Sequence, residues 1–301
     1  MLCKNTIVGP RSTKRAVAGK LRLLVILSGS LVTALSTPAA DQPREQIVKI
    51  VTQIQRADYE GDRAALKRLH EELTPSAKDK ELAARIQYWR GFALWRRAIN
   101  GFNEDVDRAE LREDLKQALN EFNQASAEDP AFADAKIAAL SCVSLIGYTL
   151  IQNNPARLQD ADVQELWTKG RQLRKEIEAI APENPRLLWV IGPNLWATPP
   201  ERGGSQTKAM DMYQKGLETI RKNKTAASDP LEPSWGEPEL LMNLAWSNLH
   251  KTTPDLNAAE QYANSALNIV PYWHYVRDIL MPQIQQARKK AELSHDRSSL
   301  F

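Results

Sequence analysis

The chain has 301 residues, a hydrophobic fraction of 43%, a charged fraction of 26% and a formal net charge of +3. These values are ordinary for a soluble globular protein and point to one or two domains. Six basic and no acidic residues lie in the first 40 positions, so the remainder carries a slight acidic excess. That balance disfavours a general nucleic-acid binder, which shows a basic stripe.

The N-terminus reads as an export signal. A basic stretch ends at Arg22, an apolar run covers Leu23 to Leu35, and the small residues Thr37-Pro38-Ala39-Ala40 follow. This is the layout of a cleavable signal over 1–40, with cleavage after Ala39 or Ala40. The alternative is an uncleaved anchor, but the apolar run falls short of the ~20 residues a spanning helix needs. The mature chain is expected to be periplasmic or secreted, meeting a membrane only through a retained signal. Past this segment Cys142 is the sole cysteine, so no internal disulfide forms. It sits in the run Ala138-Ala139-Leu140-Ser141-Cys142-Val143 and is expected to be a buried small hydrophobe.

Ala, Leu, Glu, Gln, Lys and Arg dominate the rest, which favours an all-α fold. The expected elements are a hairpin at 44–59 and 62–73, then helix pairs 79–99 with 109–128, 131–152 with 160–180, 186–197 with 205–222, and 237–250 with 256–269. A last helix at 272–292 caps the stack. The domain is drawn at 41–293, with a flexible tail at 294–301. Two stretches are too rich in Pro and Gly to continue a helix: Thr198-Pro199-Pro200-Glu201-Arg202-Gly203-Gly204-Ser205, and the segment from Asn223 to Pro238. The second exceeds ordinary connection lengths, which points to function or mobility. Gly203-Gly204-Ser205 opens a helix; a turn with an N-cap serine is favoured over an anion site.

Ala118, Phe122, Ala125 and Pro130 fall at intervals of four, three and five. Ala259, Ala263, Ala266 and Pro271 repeat the spacing without the aromatic, and Ile177 with Pro182 keeps the last interval. Small residues let paired helices approach, an aromatic wedges between neighbouring repeats, and proline ends the second helix. Gly192 follows Pro182 by ten residues, as a first-helix small residue should; at 85–99 the frame is open between Gly91 and Ala93.

On these residues the chain resembles the tetratricopeptide-repeat (TPR) superfamily over about 79–292. The stretches 198–205 and 233–236 are also similar to exported bacterial TPR proteins of undefined activity. The resemblance implies an α-solenoid whose concave face binds peptides or proteins.

The resemblance also implies that Trp189, Trp196, Met242 and Trp246 line the concave face. Pro193 lies inside the same helix, leaves the Trp189 carbonyl without its helical donor, and should kink the chain there. With Asn194 and Arg202 these residues form the candidate binding site. The slots that grip a terminal carboxylate in some TPR proteins hold Trp189 and Pro193, and Met242 and Trp246, so an apolar, aromatic surface is expected. The other tryptophans are read mostly as core.

No zinc-protease helix, Cys-x-x-Cys pair, phosphate loop, dinucleotide turn or nucleophile elbow occurs. The carboxylates fall on expected solvent faces, without the burial that separates catalytic pKa values. The reading is a non-catalytic exported scaffold, without cofactor or metal, that binds a protein or peptide. A carrier of a small apolar ligand serving a transporter is the alternative, and an enzyme on a helical scaffold is the third.

Overall fold

The computed structural model describes residues 44–78, 80–104, 106–223 and 229–298. The signal segment expected at 1–40 lies outside them, as do residues 299–301 of the expected tail. The described residues form eleven α-helices and no strand. These are α1 (Arg44–Glu60), α2 (Arg63–Glu72), α3 (Ala83–Gly101), α4 (Arg108–Glu128), α5 (Ala133–Ile151), α6 (Ala161–Ile180), α7 (Pro185–Ala197), α8 (Gln206–Lys222), α9 (Glu237–His250), α10 (Leu256–Ile269) and α11 (Met281–Ser298).

Local chemistry sets the boundaries. Asp62, Asp107, Asn184, Ser205 and Asp255 each accept a backbone N–H from the first turn of the helix they precede, satisfying donors that have no intrahelical partner. Pro130, Pro182 and Pro271 follow the ends of α4, α6 and α10. The sequence did not signal the short turns Thr74–Lys78, Pro155–Gln159 and Pro200–Arg202, nor the wide turn Tyr275–Leu280 that leads into α11. α11 also continues to Ser298, beyond the expected end at 292.

Packing follows chain order. α3 lies on α4, α5 on α6, α7 on α8 and α9 on α10, while α3, α5, α7 and α9 also touch in succession. Ala118, Phe122 and Ala125 are fully buried, and so are Ala259, Ala263 and Ala266. Gly91 faces the Phe122 ring so closely that a Cβ would lie 2.9 Å from it, which identifies Gly91 as the close-approach residue of α3. Gly192 of α7 meets the Tyr213 ring of α8 in the same way. Ala209, Tyr213 and Gly216 are all buried, so α8 carries the small–aromatic–small spacing of four and three that its missing terminal proline concealed.

α5 is the one helix among the described residues long and apolar enough to cross a membrane, and most of it is buried. Cys142 lies within it, fully buried and free, and its burial pushes the thiol pKa well up. α1 also reaches the far end of the sequence: the Tyr59 ring sits 5.1 Å from that of Trp273, edge to face.

Candidate functional site

The structure distributes the six candidate residues over three surroundings. Trp189 packs against each of the three apolar clusters formed by the described residues. Its ring stands edge-on to Trp95 at 6.0 Å and to Trp235 at 5.4 Å. Trp235 comes from the long segment before α9. It is 3% exposed, so this part of the segment is core.

Residues 229–236 of that segment are fastened to the helices around them. Trp89 Nε1 donates to the Leu231 carbonyl at 2.8 Å, and Arg186 Nε donates to the Trp235 carbonyl at 2.8 Å. Arg186 Nη2 also donates to the Pro233 carbonyl. Arg85 bridges Asp129 and Glu232, and Arg44 pairs with Asp229. Space beside Trp189 that the repeat pattern assigns to a partner therefore holds this chain's own indole. The Trp189 Nε1 is buried without a hydrogen-bond partner.

A buried ionic group lies beside these rings. The Arg96 guanidinium carbon is 5.9 Å from the Trp189 ring centroid. Arg96 Nε is 2.8 Å from Asp58 Oδ1, although the N–H is not aligned for a hydrogen bond, and Nη2 is 3.9 Å from Glu239 Oε1. Tyr59 donates to Glu239 Oε1 at 2.8 Å, and Glu239 Oε2 accepts the Gly236 N–H at 2.7 Å. Asn100 Nδ2 donates to the Asp58 carbonyl at 3.0 Å.

Burial raises the Asp58 and Glu239 carboxyls above their ordinary pKa, against the pull of Arg96. Burial works against the Arg96 charge too, but the two carboxylates outweigh it and hold the guanidinium protonated. Asp58 and Glu239 thus correct the expectation that carboxylates lie on solvent faces. Nothing in the local pattern of α1 or α9 marks them, because the residues that surround them, Arg96 of α3 at both and Tyr59 of α1 at Glu239, lie far off in the chain. Neither hollow described below is lined by any of these groups.

Trp196 and Trp246 belong together. Their rings are 5.4 Å apart, edge to face, and His250 stacks on Trp246 at 4.2 Å. His250 Nδ1 lies 2.8 Å from the Trp246 carbonyl. Met242 packs on the same cluster, and all three candidate residues here remain half-exposed. α7 continues as a helix through Pro193, which lies exposed on its outer side, so the missing donor falls toward solvent.

Asn194 and Arg202 line a cavity of about 380 Å³ between α5, α6, α7, α8 and the turn 198–205. Leu140, Ile191, Leu195, Met212 and Trp167 supply apolar surface, while Arg171, Arg174 and Arg202 supply charge. No acidic residue lines it. Trp167 rests against Gly147, where a Cβ would come within 3.0 Å of the indole.

The turn is closed by its own backbone. Gly203 has φ +90° and donates to the Pro200 carbonyl at 2.9 Å, Gly204 donates to the Pro199 carbonyl at 3.1 Å, and Ser205 donates to the Leu195 carbonyl at 2.9 Å. A Cβ on Gly204 would overlap the Thr198 carbonyl. Ser205 Oγ accepts the Lys208 N–H at 3.2 Å, so the expected N-cap is present. Sequence reasoning missed Arg171, Arg174 and Trp167, which reach the cavity from α6. Their one signal was a basic pair three residues apart on a single helix face.

A larger, more open hollow of about 850 Å³ lies between the start of α8, the turn 251–256 and α11. Its polar groups are largely satisfied within the protein. Arg288 pairs with Glu260 at 2.7 Å and donates to Asn257 at 2.8 Å, Asp255 caps α10, and Gln206 accepts from Thr252. Arg288 Nε, however, lies buried without a hydrogen-bond partner. Among the described residues no three His, Cys, Asp or Glu side chains converge to hold a metal. Comparison with family models, with curated proteins and with solved structures returns no match.

Proposed function

We propose that this chain is an exported, non-catalytic α-solenoid of the TPR type that holds a small ligand in the cavity between α5, α6, α7 and α8. Two contacts support the repeat reading: Gly91 against Phe122 and Gly192 against Tyr213, each a small first-helix residue under a second-helix aromatic. The succession of α3, α5, α7 and α9 supports it as well.

The observation that carries the ligand reading is the convergence of Asn194 and Arg202 with Arg171 and Arg174 on one cavity that no acidic residue lines. Its volume of about 380 Å³ falls within the range of small-molecule sites, about 300–1,000 Å³. By contrast, Trp189 already packs against Trp235. A thermal-shift screen of small molecules tests the reading, with Ser144→Trp as the cavity-filling variant. Compounds that raise the melting temperature of the natural chain are expected to lose that effect in the variant. Equal shifts in both chains would place binding elsewhere and defeat the reading.

A second reading keeps the protein or peptide partner, now at Trp196, Met242 and Trp246. The half-exposed indole pair with His250 stacked on it favours this. Pull-down with Trp246→Ala checks it: retained capture of the same partner counts against this surface.

A further inference from the structure

The cavity divides by chemistry. Its inner surface is apolar, built from Leu140, Ile191, Leu195 and Met212 with the Trp167 ring. Its charge comes from three arginines that stay exposed, Arg171 and Arg174 from α6 and Arg202 from the turn 198–205. These come from two different elements, so their positive charges face the same opening from two directions.

Their internal hydrogen bonds leave capacity over. Arg171 Nη2 donates to Thr168 Oγ1 at 2.9 Å, a neutral acceptor. Arg174 Nε donates to Glu178 Oε1 at 2.7 Å, which uses one of its five N–H groups. Arg202 makes no side-chain hydrogen bond or ion pair among the described residues. The backbone of the turn that carries Arg202 is closed by the Gly203, Gly204 and Ser205 N–H groups, which places the Arg202 Cα at the rim of the cavity.

We infer that the ligand is a small amphiphilic anion, with an apolar or aromatic body in the Trp167 cavity and a carboxylate or phosphate between Arg202 and the Arg171–Arg174 pair. This rests on the cavity reading above. Guanidinium forks suit planar or tetrahedral oxyanions, and three of them, of which only Arg174 is ion-paired (to Glu178, outside the lining), favour one anionic head over a zwitterion or a cation. The apolar surface excludes inorganic phosphate as the complete ligand, since burying it against Leu140 and Ile191 would gain nothing.

Calorimetric titration of the natural chain with phenylbutanoate, phenylbutyl phosphate and phenylbutanol separates the possibilities. At least one anionic probe is expected to bind about tenfold or more tightly than the alcohol, with affinity falling as salt rises. The tighter of the two anions identifies the head group. Arg202→Met and Arg171→Met are each expected to weaken the anion about three- to tenfold and leave the alcohol unchanged.

Ser144→Trp should abolish binding of every probe. Alcohol and anions binding equally, with Ser144→Trp still blocking them, would overturn the anionic head while the cavity reading survives. Binding that persists in Ser144→Trp would overturn both. Failure of both anions to bind the natural chain would overturn the amphiphilic-anion inference.

Discussion

The indole N–H of Trp235 donates to the hydroxyl of Tyr88 at 2.7 Å, joining residues 147 positions apart in the chain. Both side chains are buried, so the bond cannot be replaced by water. It fixes the segment before α9 against α3. Trp235→Ala should destabilise the protein by about 3–5 kcal/mol through the cavity it leaves. Tyr88→Phe should cost less, about 1–3 kcal/mol, because only the indole N–H is orphaned. Urea denaturation of both variants checks the order; a negligible loss for Trp235→Ala would mean that the segment is not part of the core.

Arg96 is 3% exposed between Asp58 and Glu239, which are 1% and 0% exposed. Removing it leaves two buried carboxyls without a counter-charge. Arg96→Met should therefore cost about 3–5 kcal/mol near neutral pH. The sign with pH follows from the direction of the shifts. Both carboxyls have folded pKa values raised above the ordinary 3.8 and 4.5. Their contribution is full below those ordinary values and is lost as pH rises through the folded ones. Without Arg96 the folded values rise further. The deficit of Arg96→Met should grow as pH rises from the ordinary carboxyl range toward neutrality. A deficit that shrinks over that interval would refute the assignment.

Gly192 and Gly170 should respond oppositely to alanine. A Cβ on Gly192 would strike the Tyr213 ring, whereas one on Gly170 would lie 3.5 Å from Val143, an ordinary contact. Gly192→Ala is expected to lose about 1–3 kcal/mol from overpacking. Gly170→Ala is expected to gain up to about 1 kcal/mol from helix propensity. Thermal melts of the pair decide it, and the same sign in both would show that helix propensity outweighs packing at Gly192 or that α6 cannot take a methyl group.

Gly203 adopts φ +90°, where an L side chain is strained. Gly203→Ala should cost about 1–2 kcal/mol and loosen the turn that carries Arg202. Amide hydrogen exchange should quicken at Gly204 and Ser205, whose N–H groups close the turn. Unchanged exchange there would mean that the turn is held by other contacts.

Much of the fold was legible because helix pairing leaves local traces. The Ala118, Phe122, Ala125 spacing and the following Pro130 mark one helix and its end, and Ser205 marks the start of another. α8 was less legible as a repeat element, since its Ala209, Tyr213 and Gly216 lack a closing proline. The candidate site was partly legible. Asn194 and Arg202 reach one cavity, but Arg171, Arg174 and Trp167 enter it from another helix. The fate of Trp189 was hidden for a physical reason. Helical periodicity gives the face on which a side chain stands, and it carries no information about a distant irregular segment that packs there. Asp58 and Glu239 were hidden in the same way, because the groups packed on them, Arg96 and, at Glu239, Tyr59, come from distant parts of the chain.

The fastening of residues 229–236 onto α3 has a consequence for how the chain is made. A ribosome that has released α1 to α8 has not yet supplied Trp235, Leu231 or Glu239, so Trp89 and Tyr88 still lack these partners at that stage and Arg96 has only Asp58. Aromatic surface near the start of the domain stays uncovered until much of the chain has emerged. Truncations ending before residue 229 should consequently be sticky and short-lived, however well their separate helices form.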